Sequence, residues 1–121
     1  MKVSLASRDK ILVLGSGWAG YKILSTFKDS AKAHALVCVS ERNHYLFTPL
    51  LAQSCVGTLE FRGICEPIMK LKHVTFIHAE AVSVDAARKV VVCRSVYDVA
   101  RSDDDNAERY YPEFELSYDK L

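Results

Sequence analysis

An α/β domain is predicted, in which a βαβ unit starts a parallel sheet, an antiparallel β-meander is inserted after it, and the sheet is incomplete at the C-terminus. Three features of the chain carry that prediction. Two short runs, Lys10–Leu14 and Ala35–Val39, are apolar at nearly every position, the mark of strands buried on both faces inside a parallel sheet. Between them a glycine turn gives way to helical spacing, so strand, turn, helix and strand fit into about thirty residues. Farther on, Ala81–Asp85 and Lys89–Cys93 are β-rich and separated by a short turn, which predicts an antiparallel hairpin. With 121 residues, half of them hydrophobic and 26% charged, the chain is sized and composed for one globular domain.

Each element follows from its local pattern. Lys10-Ile-Leu-Val-Leu14 is the first strand. From about Gly17, Ala19, Ile23 and Phe27 recur every fourth residue, with Leu24 widening the stripe, while Lys22, Ser25 and Lys28 fall outside it; that is an amphipathic helix. Ala35–Val39 is the second strand. Glu41–Thr58 is irregular, punctuated by Pro49 and Gly57, and a short helix is expected to start at Leu50-Leu51. Phe61, Ile64, Cys65, Ile68 and Leu71 return to helical spacing, and Pro67 should kink that helix or split it in two. His73–His78 is a third strand, expected to run parallel to the first two. The hairpin follows, turning around Asp85–Arg88. Residues 98–108, with Asp103-Asp104-Asp105 in a row, are polar and aperiodic and read as a solvated loop. Glu113–Tyr118 is expected to return as the third strand of the meander.

Composition excludes several classes. Sixteen basic residues against fifteen acidic ones give a net charge of +1, which is no electrostatic footprint for nucleic acid. No apolar run approaches the ~20 residues that cross a bilayer. Met1–Lys10 has neither a signal-peptide core nor the length of a transit helix. Cys38, Cys55, Cys65 and Cys93 form no Cys-x-x-Cys pair, so neither zinc nor dithiol chemistry is expected. His34, His44, His73 and His78 show no metal-ligand spacing and are expected to be packed or at the surface.

The chemistry sits in Gly15-Ser16-Gly17-Trp18-Ala19-Gly20, a G-x-G-x-x-G that gains meaning from the buried strand before it and the helix after it. Gly15 permits the sharp turn, Gly17 has no Cβ to block a pyrophosphate, and Gly20 lets the helix pack closely on the strand. Free N–H groups of the first helical turn, including that of Trp18, then meet phosphate charge at the positive end of the helix dipole. Glu41 ends the second strand roughly 20 residues later, where a carboxylate accepts both hydroxyls of an adenosine ribose. Such a site binds a dinucleotide on a Rossmann-like sheet; the alternative is a glycine turn that merely packs. A β-meander in place of further βαβ crossovers favours FAD over NAD as the dinucleotide of this fingerprint.

Taken in order, Gly15–Gly20, Ser40-Glu-Arg-Asn43, Phe47-Thr-Pro-Leu-Leu51, Val56-Gly-Thr58 and Glu66-Pro-Ile68 resemble the N-terminal region of the type II NADH dehydrogenases, the alternative NADH:quinone oxidoreductases. The resemblance runs over about residues 8–121, and Ser117-Tyr-Asp-Lys-Leu121 looks like the segment just before that family's next buried strand. It implies a partial FAD-binding domain over 1–121, with a Rossmann-like part at 8–80 and the meander at 81–121. It further implies FAD as cofactor, NADH as donor and a quinone as acceptor, with no side-chain nucleophile. Peripheral attachment to the mitochondrial inner membrane is implied too, or to a bacterial plasma membrane, through a region these residues do not include. A homodimer is compatible with it.

By resemblance Thr48 and Pro49 contact the flavin, while Phe47, Leu50 and Leu51 either approach it or are ordinary core. Val82, beside Ala81, offers backbone groups to the adenine edge, and Arg42 either reaches the FAD phosphates or is solvated. Some family members carry proline where this chain has Glu41. Only one dinucleotide fingerprint is present, so these 121 residues alone are expected not to oxidise NADH. Two other readings stay open: another FAD/NAD(P)-dependent oxidoreductase, apoptosis-inducing-factor-like or ferredoxin-reductase-like, and a non-catalytic nucleotide-binding module.

Overall fold

The computed structural model describes residues 9–27, 34–97 and 111–121. Strand β1 (Asp9–Leu14), helix α1 (Trp18–Thr26) and strand β2 (His34–Ser40) form the first unit, and β1 and β2 are parallel with Leu12 opposite Val37. A short antiparallel pair follows, β3 (His44–Leu46) and β4 (Cys65–Pro67), with helix α2 (Leu51–Cys55) between them in the chain. Strand β5 (Val74–Asp85) pairs parallel with β2, and β6 (Val90–Ser95) and β7 (Glu113–Ser117) add antiparallel strands. The sheet order is β1-β2-β5-β6-β7. The acidic run within 98–108 lies outside the described residues.

Alternation along the strands sets the layers. Leu12, Val37 and Val39 pack with Ala79, Val91, Cys93 and Leu116, whereas Val13 and Cys38 pack with Leu24, Tyr45 and Ile68. Successive strand residues point to opposite faces, so the meander covers one face of the parallel strands and α1 the other. Both faces of β1 and β2 are therefore buried, as their unbroken apolar runs require.

Three expectations need correction. His73–His78 and Ala81–Asp85 are one continuous strand, β5, because no glycine or proline interrupts Ala79-Glu80. Its first part pairs with β2 and its second with β6, and a bulge between Ala81 and Ser83 marks the change; bulges bend and twist a strand in this way. The stretch Phe61–Leu71 is split in two at Pro67 as expected, but the pieces are 3-10 turns, Phe61–Ile64 and Ile68–Lys70, and an unforeseen strand, β4, separates them. Proline cannot continue a helix and drives the preceding residue extended, so Glu66 pairs with Tyr45 across the β3–β4 ladder. Finally, α1 buries Leu24, while Ile23 and Phe27 stay about 40% exposed at 42% and 39%. On the same helix Gly20 faces the Gly15 carbonyl and Val13 Cγ1, with no room for a Cβ.

After β7 the chain returns to the free edge of β1. Leu12 N–H donates to the Lys120 carbonyl at 2.9 Å, and Lys120 bridges Ile11 in parallel. Asp119 secures this return by accepting from the Lys10 N–H at 2.6 Å.

Candidate functional site

The glycine turn joins β1 to α1 with two of its glycines placed for different reasons. Gly15 has φ +93°, a left-handed conformation, and its N–H donates to the Val39 carbonyl at 2.8 Å. A Cβ at Gly20 would fall on the Gly15 carbonyl oxygen, so that glycine is demanded by packing alone. A Cβ at Gly17 would meet no protein atom within 4 Å. Nothing in the fold requires glycine there, and the space in front of it is open. Helix α1 starts at Gly17 with no side-chain cap and no acidic residue in its first turn, so the positive end of its dipole is uncompensated.

Ser16 ties this turn to the end of β2. Its hydroxyl is buried, 2.9 Å from Ser40 Oγ, 2.9 Å from the Arg42 carbonyl and 3.2 Å from the His44 carbonyl. Ser40 Oγ in turn accepts from the Arg42 N–H at 3.1 Å. The donor directions close consistently: Arg42 N–H to Ser40, Ser40 hydroxyl to Ser16, Ser16 hydroxyl to the carbonyls. This network fixes the bend from which Glu41 and Arg42 project.

A cleft of about 460 Å³ opens at the C-terminal ends of β1, β2 and the parallel part of β5, within the range of small-molecule sites. Gly15, Ser16, Gly17, Trp18, Glu41, Arg42 and Thr48 line it. Ala19 and Gly20 lie one turn into α1, Pro49 follows Thr48 in the next 3-10 turn, and Val82 is one residue beyond the lining residue Ala81. Phe47 is exposed and Leu50 and Leu51 are half-buried, so none belongs to the buried core.

The Trp18 side chain packs beside the cleft. Its ring meets Tyr45 edge-on at 5.5 Å and Phe47 at 5.4 Å, and Tyr45 stacks on Tyr21 at 4.3 Å. Aromatic contacts of this kind hold the Phe47–Thr48 segment against the start of α1. Sequence reasoning missed Glu80, His44 and Leu46, which also line the cleft. The rule that ligands bind beyond the carboxyl ends of parallel strands would have found Glu80, had β5 been read as one strand; β3 left no such signal.

The cysteines take no part. Cys38 and Cys93 are fully buried, and desolvation pushes each thiol up to about 11. Cys55 is exposed and Cys65 half-buried. Among the histidines, His73 Nε2 lies 2.8 Å from the Leu24 carbonyl near the end of α1, and His44 Nδ1 lies 3.0 Å from Asn43 Oδ1.

The chain and its fold have counterparts among known proteins. The family described as pyridine nucleotide-disulphide oxidoreductase matches residues 9–121. The internal alternative NAD(P)H-ubiquinone oxidoreductase A1, mitochondrial, of Solanum tuberosum is 38% identical over 94% of this chain and 23% of its own length. The external alternative NAD(P)H-ubiquinone oxidoreductase B4, mitochondrial, of Arabidopsis thaliana is 38% identical over 94% of this chain and 19% of its own length. The structure of NDH2 from Plasmodium falciparum in complex with NADH superposes with a TM-score of 0.74 at 28% identity, covering 93% of this chain and 21% of that one. The chain thus spans about a fifth of the length of the relatives it matches. Among the described residues no helix is long and apolar enough to cross a membrane.

Proposed function

This chain belongs to the pyridine nucleotide-disulphide oxidoreductase family, and from that premise we propose that its cleft is the adenosine-diphosphate half of an FAD site. The observation that carries the reading is the pairing of an open, side-chain-free Gly17 at an uncapped helix start with a carboxylate, Glu41, on the same cleft. The N–H groups of Trp18 and Ala19 hold pyrophosphate oxygens, and Gly15 and Gly17 let the phosphates approach the backbone. Gly20 serves the site by keeping α1 close to the turn. Glu41 accepts the ribose hydroxyls, Arg42 faces the phosphates, and Thr48 with Pro49 forms a wall at the flavin side. Val82 and Ala81 border the adenine through their backbone.

The domain that holds this site extends over 1–121, with the Rossmann-like part at 8–80 and the meander at 81–121. When bound, FAD supplies hydride acceptance from NADH and electron delivery to a quinone. The residues described here bind, orient and partly shield it, and none acts as a nucleophile. The longer protein to which such a domain corresponds is an NADH:quinone oxidoreductase at the mitochondrial inner membrane, attached peripherally. The relatives' names support that reading, since they join NAD(P)H, ubiquinone and the mitochondrion.

Equilibrium titration tests it. Purified chain is titrated with FAD, FMN and NAD while flavin or intrinsic Trp18 fluorescence is followed. Saturable binding of FAD, tighter than NAD and with FMN weaker for want of the adenosine half, is expected. A chain that binds NAD in preference to FAD would contradict the assignment.

A further inference from the structure

Glu41 stands in a bend just past β2, where the strand ladder has run out. The last pair of that ladder is Ser40 opposite His78, so the Glu41 carbonyl has no strand partner of its own. His78 Nε2 lies 2.6 Å from that carbonyl oxygen, and His78 Nδ1 lies 2.8 Å from the Tyr97 hydroxyl. The Tyr97 ring meets the imidazole edge-on at 5.0 Å. A carbonyl only accepts, so Nε2 carries the proton. In the neutral ring Nδ1 is then an acceptor, and the Tyr97 hydroxyl donates to it.

We infer that His78, held by Tyr97, is a positioning residue for Glu41, fixing its main chain so that the carboxylate faces the ribose of the bound dinucleotide. The inference rests on the reading of Glu41 as the ribose ligand. Two further observations support it. The N–H of that same Glu41–Arg42 peptide is already held by Ser40 Oγ, which is tied in turn to Ser16, so His78 at the carbonyl completes a clamp on both polar ends of one peptide plane. And Tyr97 is 63% exposed and belongs to neither buried cluster, so its bond to His78 contributes orientation rather than core packing. Preorganisation of this kind raises affinity by lowering the ordering cost of the ligand contact.

A double-mutant cycle on the chain, read by FAD affinity, tests the inference. Glu41→Ala is expected to weaken binding about ten- to a hundredfold, the scale of hydrogen bonds to a charged group. His78→Leu is expected to weaken it up to about tenfold, and to have no further effect when Glu41 is already alanine. His78→Gln, whose amide N–H can reach the same carbonyl, should restore most of the loss. Nitrogen-15 shifts of His78 should report the Nε2–H tautomer, shifting toward a mixture in Tyr97→Phe; this readout is independent of flavin. Equal losses from His78→Leu with and without Glu41, or an Nδ1–H tautomer, would overturn the positioning role alone. Unchanged affinity in Glu41→Ala would overturn the ribose assignment and the inference with it.

Discussion

Two alanine substitutions in one glycine motif should fail in opposite ways. At Gly20 the new Cβ would sit on the Gly15 carbonyl oxygen and 3.1 Å from its carbon, with Val13 Cγ1 at an ordinary 3.6 Å. The obstructing atoms are backbone, in a turn already fixed by the left-handed Gly15 and its bond to Val39. Helix α1 must therefore back away and loosen Leu24, its buried anchor. Overpacking costs about 1–3 kcal/mol and occasionally more, while alanine regains about 1 kcal/mol of helix propensity. Because the clash is with rigid backbone, the upper end of that cost applies; a net loss of about 2 kcal/mol follows, which lowers Tm by roughly 5–10 °C in a domain of this size. Gly17→Ala puts its Cβ in open space, and only the modest preference of glycine over alanine at a helix start opposes it, about 1 kcal/mol or less. Its effect should appear instead as FAD affinity at least tenfold weaker, equivalent to about 1.4 kcal/mol. Urea unfolding and flavin titration of both variants separate the two. A Gly20→Ala protein as stable as wild type would refute the packing argument, and unchanged FAD affinity in Gly17→Ala would refute the phosphate argument.

Ser16→Ala should cost about 1–3 kcal/mol in urea unfolding, because it removes a buried hydroxyl and leaves the Ser40 hydroxyl without the acceptor of its proton. Stability should also fall between pH 9 and pH 11. Burial raises Cys38 and Cys93 from near 9 to about 11, so both are neutral in folded and unfolded chains below 9. Above it the unfolded thiols ionise first, favouring the unfolded state by up to about 1.4 kcal/mol per unit and per thiol; Tm measured at pH 8 and pH 10.5 gives the sign. A thiol reagent at pH 8 should label exposed Cys55 rapidly and spare Cys38 and Cys93 until denaturant is added. Residues 1–121 with FAD should not turn over NADH and a soluble quinone above background, since one dinucleotide fingerprint cannot hold both reactants; turnover near ~10 per second would contradict that.

Much of this fold was legible because burial on both faces leaves an unmistakable pattern. Lys10–Leu14 and Ala35–Val39 are apolar at nearly every position, and they lie within β1 and β2. The third meander strand, Glu113–Ser117, alternates exposed and sheltered side chains and was equally readable. Periodicity misled where tertiary contacts overrule it. Phe61 to Leu71 has helical spacing, yet Pro67 and the partner strand β3 pull its middle extended. In α1 the stripe Ala19–Ile23–Phe27 looked like the core face, but the helix buries Leu24 and turns Gly20, a residue with no hydrophobic signal, against the Gly15 carbonyl. Most of the residues singled out around the cleft were visible in the motif spacing. Glu80, His44 and the Ser16 network were not, because they depend on which strand ends converge in space.

A crystal structure of the chain with FAD tests directly whether the cleft holds the adenosine diphosphate. Pyrophosphate oxygens are expected within hydrogen-bonding distance of the N–H groups that open α1, and both adenosine ribose hydroxyls on the Glu41 carboxylate. A dinucleotide seated elsewhere, with Gly17 and Glu41 free of contact, would contradict that placement.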